Sequence, residues 1–328
     1  MRALVIRGPG GPEVLEEREV PEPEPGRGEI RVRVHAAGVN RADLLQRRGL
    51  YPAPADAPAD VPGLEYAGII DAVGAGVSGL RPGDRVMGIV GGGAYAEAVV
   101  VSASLAVPIP ERLTFEDAAA VPEAFITAHD AVFTLMGLRA GERLLVHAVG
   151  SGVGIAALQL AKVFGARVLG TSRSAWKLDR ARDLGLDVGI EAGGPGFADV
   201  VQRHTDGAGV DAILDLVGGA YLADNLRALA VKGRMAVVGL VSGARAELDL
   251  GLLLRKRLTL IGTALRSRST EEKAAATRAF ADATLSLLAA GRIRPVVDAV
   301  ISMREAAEAH RRMEANLNFG KVVLRWDA

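Results

Sequence analysis

The pattern of apolar and polar positions divides the chain into two kinds of segment. Near the N-terminus Ile30, Val32 and Val34 alternate with Glu29, Arg31, Arg33 and His35. That is the period-2 signature of a strand with one buried face. Further strands are predicted over 66–73, 85–90 and 95–101, separated by Pro- and Gly-rich punctuation such as PEPEPGRG (21–28) and GLRPGD (79–84). Many short strands with such turns predict a partly open barrel or sandwich. From about Thr114 the pattern changes. Short apolar runs at 143–148, 167–170, 212–216, 234–238 and 258–261 alternate with helix-length patterns at 152–164, 174–184 and 220–229. Strand–helix–strand alternation predicts right-handed crossovers and a parallel sheet. Beyond about Leu265 two helices (271–290 and 304–315) flank a strand at 296–301, and a last strand spans 321–325. That tail is too short to fold alone and is expected to return to the first domain.

Composition narrows the chemistry. The 328 residues carry 39 basic and 39 acidic side chains, 49% apolar residues and no cysteine. A chain without cysteine has no disulfide scaffold, no thiolate nucleophile and no Cys-ligated metal. Balanced charge and 4% aromatics argue against a nucleic-acid or anionic-membrane partner. The apolar stretch 118–136 is interrupted by Pro122, Glu123, His129 and Asp130, so it fails as a membrane span. With no signal-like segment at the start, the expected location is cytoplasmic.

The strongest local feature is LLVHAVGSGVGIAALQLAKVFGA (144–166). An apolar strand runs into a turn made of Gly150, Ser151, Gly152, Val153 and Gly154, and a helix follows. A dinucleotide pyrophosphate needs backbone N–H donors at a helix N-terminus with no Cβ in the way, and this turn supplies both. The spacing departs from GxGxxG, so the strand–turn–helix setting carries the assignment. The alternative is a tight turn that uses glycine only for its geometry. The next strand ends VLGTSRSAWK, with no acid from Val168 to Lys177. An acid there would accept from the ribose of NADH. Ser172, Arg173 and Lys177 instead suit the 2′-phosphate of NADPH, unless Arg173 and Lys177 are only solvated residues at a helix start.

No histidine pair has metal-ligand spacing, and no tyrosine is followed four residues later by lysine. With neither a metal nor a strong acid evident to polarise an inert carbonyl, the hydride acceptor is expected to be electrophilic in itself. Quinones and activated enones meet that need.

Taken together, the sequence resembles the zinc-free quinone oxidoreductase (zeta-crystallin-like) branch of the medium-chain dehydrogenase/reductase superfamily, and is most similar to its tumour-suppressor-inducible subgroup. The resemblance is carried by AAGVNRADLLQRRGLYP (36–52), PGLEYAGIIDAVGAGVSGLRPGDRVMG (62–88), LLVHAVGSGVGIAALQL (144–160), LIGTALRSRS (260–269) and NFGKVVL (318–324). Where zinc-dependent members have Gly-His-Glu this chain has Gly63, Leu64 and Glu65. The resemblance implies an α/β protein: a Rossmann doubly wound parallel sheet (123–264) inserted in a GroES-like β-rich catalytic domain (1–122 and 265–328). It implies NADPH in a cleft between them and a homodimer joined through Rossmann edge strands near 258–268. It also places Asn40, Asp43, Tyr51 and Thr127 on the catalytic side. Ser151, Gly152, Val153 and Gly154 would hold the pyrophosphate, with Ser172 and Lys177 at the adenosine phosphate. Gly150, Arg173 and Asn318 complete the expected cofactor contacts.

Two departures bear on the cofactor. Relatives often carry a tyrosine after the third Rossmann strand where this chain has Glu191 and Ala192, an acid that counts against a phosphate there. Arg173 stands where relatives often have glycine and works in the opposite sense. Each catalytic candidate also has a plainer reading. Asn40 and Asp43 are good helix-start residues, Tyr51 opens a Pro-rich loop that it could simply pack, and Glu65 reads as a satisfied buried acid. The resulting expectation is an NADPH-dependent quinone reductase. The alternatives are an enone or 2-enoyl thioester reductase, or an NADPH-binding sensor without turnover.

Overall fold

The computed structural model describes residues 1–326 and divides into two compact units. One comprises Met1–Ile126 and the segment from Leu265 onward, and the other is Thr127–Ala264. In the first unit β1 (Arg2–Ile6) and β2 (Leu15–Glu19) form an antiparallel pair that the apolar pattern had not marked. Strand β3 (Glu29–Gly38) buries Ile30, Val32 and Val34 as the alternation requires, and its last residues, Ala36, Ala37 and Gly38, are buried in succession. Helix α1 (Arg41–Arg47) follows directly. Then come β4 (Glu65–Val73), β5 (Arg85–Ile89), β6 (Ala98–Ser102), β7 (Ala106–Pro108) and the short helix α2 (Phe115–Ala118). A π-helical turn, Pro122–Ile126, ends this part of the unit.

The second unit opens with α3 (Thr127–His129). Its strands are β8 (Arg143–Val146), β9 (Arg167–Ser172), β10 (Val188–Glu191), β11 (Val210–Asp215), β12 (Leu229–Val237) and β13 (Thr259–Gly262). The intervening helices are α4 (Gly152–Val163), α5 (Ala175–Arg182), α6 (Phe197–His204), α7 (Leu222–Ala228) and α8 (Leu250–Lys256). All six strands run parallel in the order β10-β9-β8-β11-β12-β13. Numbered within the unit, that order is 3-2-1-4-5-6, the doubly wound dinucleotide-binding arrangement. Its switch point lies between β8 and β11. Leu145, Leu169, Ile213 and Met235 are buried in the core on this sheet. The β10–α6 pair had no counterpart in the pattern of the sequence. Strand β12 also starts earlier than its apolar run and is irregular in the middle, where Lys232 takes a left-handed φ of 65° and the pairing with β11 shifts register.

The chain then returns to the first unit as α9 (Thr270–Ala289), β14 (Val297–Ser302), α10 (Ala306–Glu314) and β15 (Lys321–Arg325). The main sheet of this unit has the order β14-β15-β3-β4-β5-β7, with β6 also on β3. Strand β3 is long enough to pair with β6 through Glu29–Arg33 and with β15 through Ala36–Gly38. This sheet, with β1 and α10, encloses a core that includes Leu4, Ile30, Val32, Tyr66, Val86, Met313 and Leu324.

Candidate active site

At the end of β3 the strand pairing itself assembles a polar cluster. The β3–β4 register sets Ala37 opposite Tyr66, so the next pair outward is Gly38 and Glu65. A Cβ on Gly38 would stand 2.2 Å from Glu65 Oε1 and 2.5 Å from the Ala119 carbonyl oxygen. Only glycine leaves room for the Glu65 carboxylate to fold in. Strand β15 lies on the other side of β3, and Lys321 at its start reaches across. Its Nζ donates to Glu65 Oε1 (2.5 Å), Asn40 Oδ1 (2.7 Å) and the Val39 carbonyl (3.0 Å). Asn40 Nδ2 also donates to Glu65 Oε1 at 2.8 Å, and the Glu123 amide donates to Glu65 Oε2 at 2.8 Å. Glu65 is thus fully buried with both oxygens paired, as a buried charge must be.

Asn40 and Asp43 occupy the start of α1, and both readings of them meet here. The Asn40 amide donates to Asp43 Oδ2 at 2.7 Å, the reciprocal half of a capping box. The Asn40 side chain, however, is taken by Lys321 and Glu65. Asp43 is fully buried and accepts from the Gly63 amide (3.2 Å) and the Tyr95 hydroxyl (3.3 Å). Tyr95 continues to His310 Nε2 at 3.3 Å, and His310 Nδ1 lies 3.1 Å from Arg47 Nη1. Arginine can only donate, so Nδ1 accepts and Nε2 carries the hydrogen. The chain of bonds therefore runs Arg47 to His310 to Tyr95 to Asp43. Arg47 is held in turn by the Glu314 carboxylate and the Gly10 carbonyl. Burial raises Asp43 to about 6 and lowers His310 to about 3, the latter helped by the Arg47 charge.

Tyr51 is half-buried, with the Arg266 guanidinium 5.2 Å from its ring centroid. Arg266 also donates to the Tyr51 carbonyl (3.2 Å), the Gly91 carbonyl (2.7 Å) and Gln46 Oε1 (2.6 Å), which fixes the loop against α1. Burial raises the Tyr51 phenol, and Arg266 offsets part of that rise. Asn318, just before β15, donates from Nδ2 to the Gly320 carbonyl at 2.8 Å.

The remaining candidates belong to the second unit. Thr127 is the first residue of α3 and is half-buried. At the end of β8 the backbone turns sharply: Ala148 has a left-handed φ of 48°, a conformation uncommon outside glycine. Ser151 caps α4, its hydroxyl accepting from the Gly154 amide at 3.1 Å. A Cβ on Gly154 would come within 2.5 Å of the Ala148 carbonyl oxygen and 2.8 Å of Val149 Cα. Helix α4 therefore sits hard against the strand, with Gly150, Gly152 and Val153 in the same turn and its N-terminus beside the switch point. Ser172 ends β9 and its hydroxyl accepts from the Ser174 amide at 3.2 Å. Arg173 is exposed, and Lys177 stands 5.3 Å from the Trp176 ring centroid. The residues present fit a dinucleotide: a helix N-terminus at the switch point, no Cβ at the close approach, and two cations after the second strand.

Sequence reasoning missed a second network in this unit. His147 lies between Thr171 Oγ1 (2.9 Å from Nδ1) and Asn225 Oδ1 (2.7 Å from Nε2), and Asn225 Nδ2 donates to Asp215 Oδ2 at 3.0 Å. Asp215 Oδ1 accepts from the Val217 and Gly218 amides. The Asp215 carboxylate can only accept, which orients Asn225 and puts the His147 hydrogen on Nε2. Burial lowers His147, so it stays neutral. Tyr221 hydrogen-bonds the Ala192 carbonyl at 3.2 Å, so a tyrosine from the turn before α7 reaches the segment after β10. Lys321, Arg266 and Glu123 were missed as well. The one legible signal was a lysine leading the otherwise apolar run VVL.

Comparison with known proteins decides the lineage. Residues 26–111 match the alcohol dehydrogenase GroES-like domain, and residues 152–281 match the zinc-binding dehydrogenase family. A quinone oxidoreductase of Pseudomonas aeruginosa is 37% identical over 318 residues, covering 96% of both chains. The chain belongs to the medium-chain dehydrogenase/reductase superfamily, in its quinone oxidoreductase-like branch. It is an oxidoreductase that works with a nicotinamide cofactor. Over 324 residues, 98% of its length, the chain also matches a mycocerosic acid synthase-like polyketide synthase of Mycobacterium tuberculosis at 36% identity, where it spans only 15% of that much longer protein. Among solved structures of the superfamily, a mycobacterial protein complexed with NADPH has a TM-score of 0.89 at 31% identity, covering 99% of this chain and all of the other. An NAD-dependent alcohol dehydrogenase has 0.86 at 37%, covering both chains fully. The CurK enoyl reductase has 0.89 at 26%, covering 99% of each.

Proposed function

We propose that the protein is an NADPH-dependent reductase of quinones and similarly electrophilic acceptors. The observation that carries the reading is the Ser151-capped glycine turn at the switch point of a 3-2-1-4-5-6 sheet, followed one strand later by Ser172, Arg173 and Lys177 with no acid among them. The turn suits a pyrophosphate, and the cations suit a 2′-phosphate. The Arg173 charge offsets part of the rise that burial imposes on the Tyr221 phenol, whose hydroxyl meets the Ala192 carbonyl just after β10.

The nicotinamide, when bound, supplies the hydride. The protein's residues do the rest. Ser151, Gly152, Val153 and Gly154 hold the phosphates, and the Thr171–His147–Asn225–Asp215 network ties β9, β8 and the turn after β11 together at the cofactor-binding edge of the sheet. In the first unit Lys321 and Glu65 clamp Asn40, and Arg266 holds the Tyr51 loop. The chain has no cysteine, and among the described residues no three His, Asp or Glu side chains gather as a metal site. An acceptor that is electrophilic without assistance fits those residues.

A second reading, reduction of enones or 2-enoyl thioesters, is favoured by the similarity to an enoyl reductase. The two are separated by an acceptor panel of ortho- and para-quinones, conjugated enones and a crotonyl thioester, each run with NADPH and with NADH. Quinone turnover with NADPH supports the proposal. Turnover of enones or thioesters alone moves the assignment to the second reading. Tight NADPH binding with no turnover of any acceptor would make the protein a sensor. We further propose a homodimer through β13, the outer strand of its sheet. Leu240, Val241, Leu250 and Leu254 are exposed in the segments that precede it, and an open strand edge near apolar surface invites pairing.

A further inference from the structure

Reduction of a quinone by hydride leaves a hydroquinone oxyanion that needs a proton, and in the first unit Glu123 lies within electrostatic reach of three other acidic groups, Asp43, Glu65 and Tyr51. Glu65 is fully buried and both its oxygens are occupied by Lys321, Asn40 and the Glu123 amide. Asp43 is also fully buried, and both its oxygens accept hydrogen bonds. Tyr51 is a phenol made still less acidic by burial. Glu123 differs from all three. Its main chain is fixed on Glu65 Oε2 at 2.8 Å, at the start of the π-helical turn Pro122–Ile126. Its side chain is half-buried and, among the described residues, has no hydrogen-bond or ion-pair partner. An interruption of regular helical geometry of this kind often marks a functional position.

We propose that Glu123 is the proton donor that completes reduction of the acceptor. The proposal rests on the reductase reading above. The acceptor takes two electrons with the hydride. The Glu123 O–H bond then breaks, the proton forms the new O–H bond of the hydroquinone, and the carboxylate left behind recovers a proton from water. The surroundings fit both halves of that cycle. Burial and the neighbouring Glu65 carboxylate, with Asp43 adding to them, raise Glu123 to about 8, so it carries its proton at neutral pH. Lys321 and Arg266 pull the other way and stabilise the carboxylate once the proton has left. A group whose pKa lies close to the working pH is well matched to proton transfer.

The test uses the NADP⁺-bound protein and the acceptor that the wild type turns over best. In the wild type the infrared band of a protonated carboxyl is expected to disappear with a midpoint near pH 8, and to be missing altogether from Glu123→Gln. The alkaline limb of the kcat/KM profile is expected near the same pH. In Glu123→Gln that limb and the solvent deuterium effect on kcat are lost, and kcat falls by about 10-fold to 100-fold while NADPH binding is unchanged. Glu123→Asp recovers part of the rate with a shifted limb. A Glu123 band that titrates in the ordinary carboxylate range, or a Glu123→Gln profile that overlays the wild type, overturns the proposal and leaves the reductase reading standing. A wild type that reduces no acceptor overturns both.

Discussion

Lys321 Nζ lies 2.5 Å from Glu65 Oε1, although 256 residues separate them in the chain and neither is more than 4% exposed. Removing one member of such a pair leaves the other charge buried without compensation. Lys321→Met is expected to cost about 3–5 kcal/mol, read from urea unfolding. The double variant Lys321→Met with Glu65→Gln should recover a large part of that loss. Equal stability of the single and double variants would show that the two charges do not depend on each other.

His310 makes a pH dependence that can be assigned to one residue. Its folded pKa of about 3 lies below the ordinary histidine value of 6.5. As pH falls below about 6.5 the unfolded chain takes up a proton that the folded chain refuses until about pH 3. Stability is therefore lost through that window, by up to about 1.4 kcal/mol per pH unit. Asp43 has the opposite sign. Its folded pKa of about 6 is raised, so its contribution is present at low pH and lost as pH rises through 6. The measurement is therefore the difference between wild type and His310→Gln, unfolded in urea at several pH values from 7 to 4. That difference should shrink steadily on acidification. A constant difference would mean that His310 titrates normally.

Arg173 and Lys177 are proposed to distinguish NADPH from NADH. Replacing both by alanine should weaken NADPH binding by about 10-fold to 100-fold, the worth of one or two hydrogen bonds to a charged group. NADH binding should hardly change. Fluorescence titration of the reduced cofactors measures both, and an equal loss for the two would remove these residues from any role in selectivity.

Gly154 has no room for a side chain: backbone atoms of Ala148 and Val149 already lie where its Cβ would be. Gly154→Val is expected to push α4 away from β8, abolishing cofactor binding and lowering the midpoint of thermal unfolding. Gly193→Ala, where nothing lies within 4 Å of an added Cβ, serves as the control and should change neither.

What the sequence determined by itself was local. The alternation of Ile30, Val32 and Val34 marks β3 because a side chain's face in a strand depends only on its parity. Ser151 and its glycines mark the turn into α4 because capping and close backbone approach are settled within a few residues. The β10–α6 pair escaped because Val188–Glu191 is four residues long and presents little apolar pattern of its own. Asn40 and Asp43 could be read either as helix-start residues or as site residues, and in the structure Asp43 closes the capping box while the Asn40 side chain faces Lys321 and Glu65. The tertiary structure alone decided which charges meet. Lys321 reaches Glu65 because β15 and β4 flank β3 on opposite sides. Arg266 grips the Tyr51 loop from 215 residues away. Periodicity reports which face of an element is buried, and it carries no record of what the fold will bring against that face.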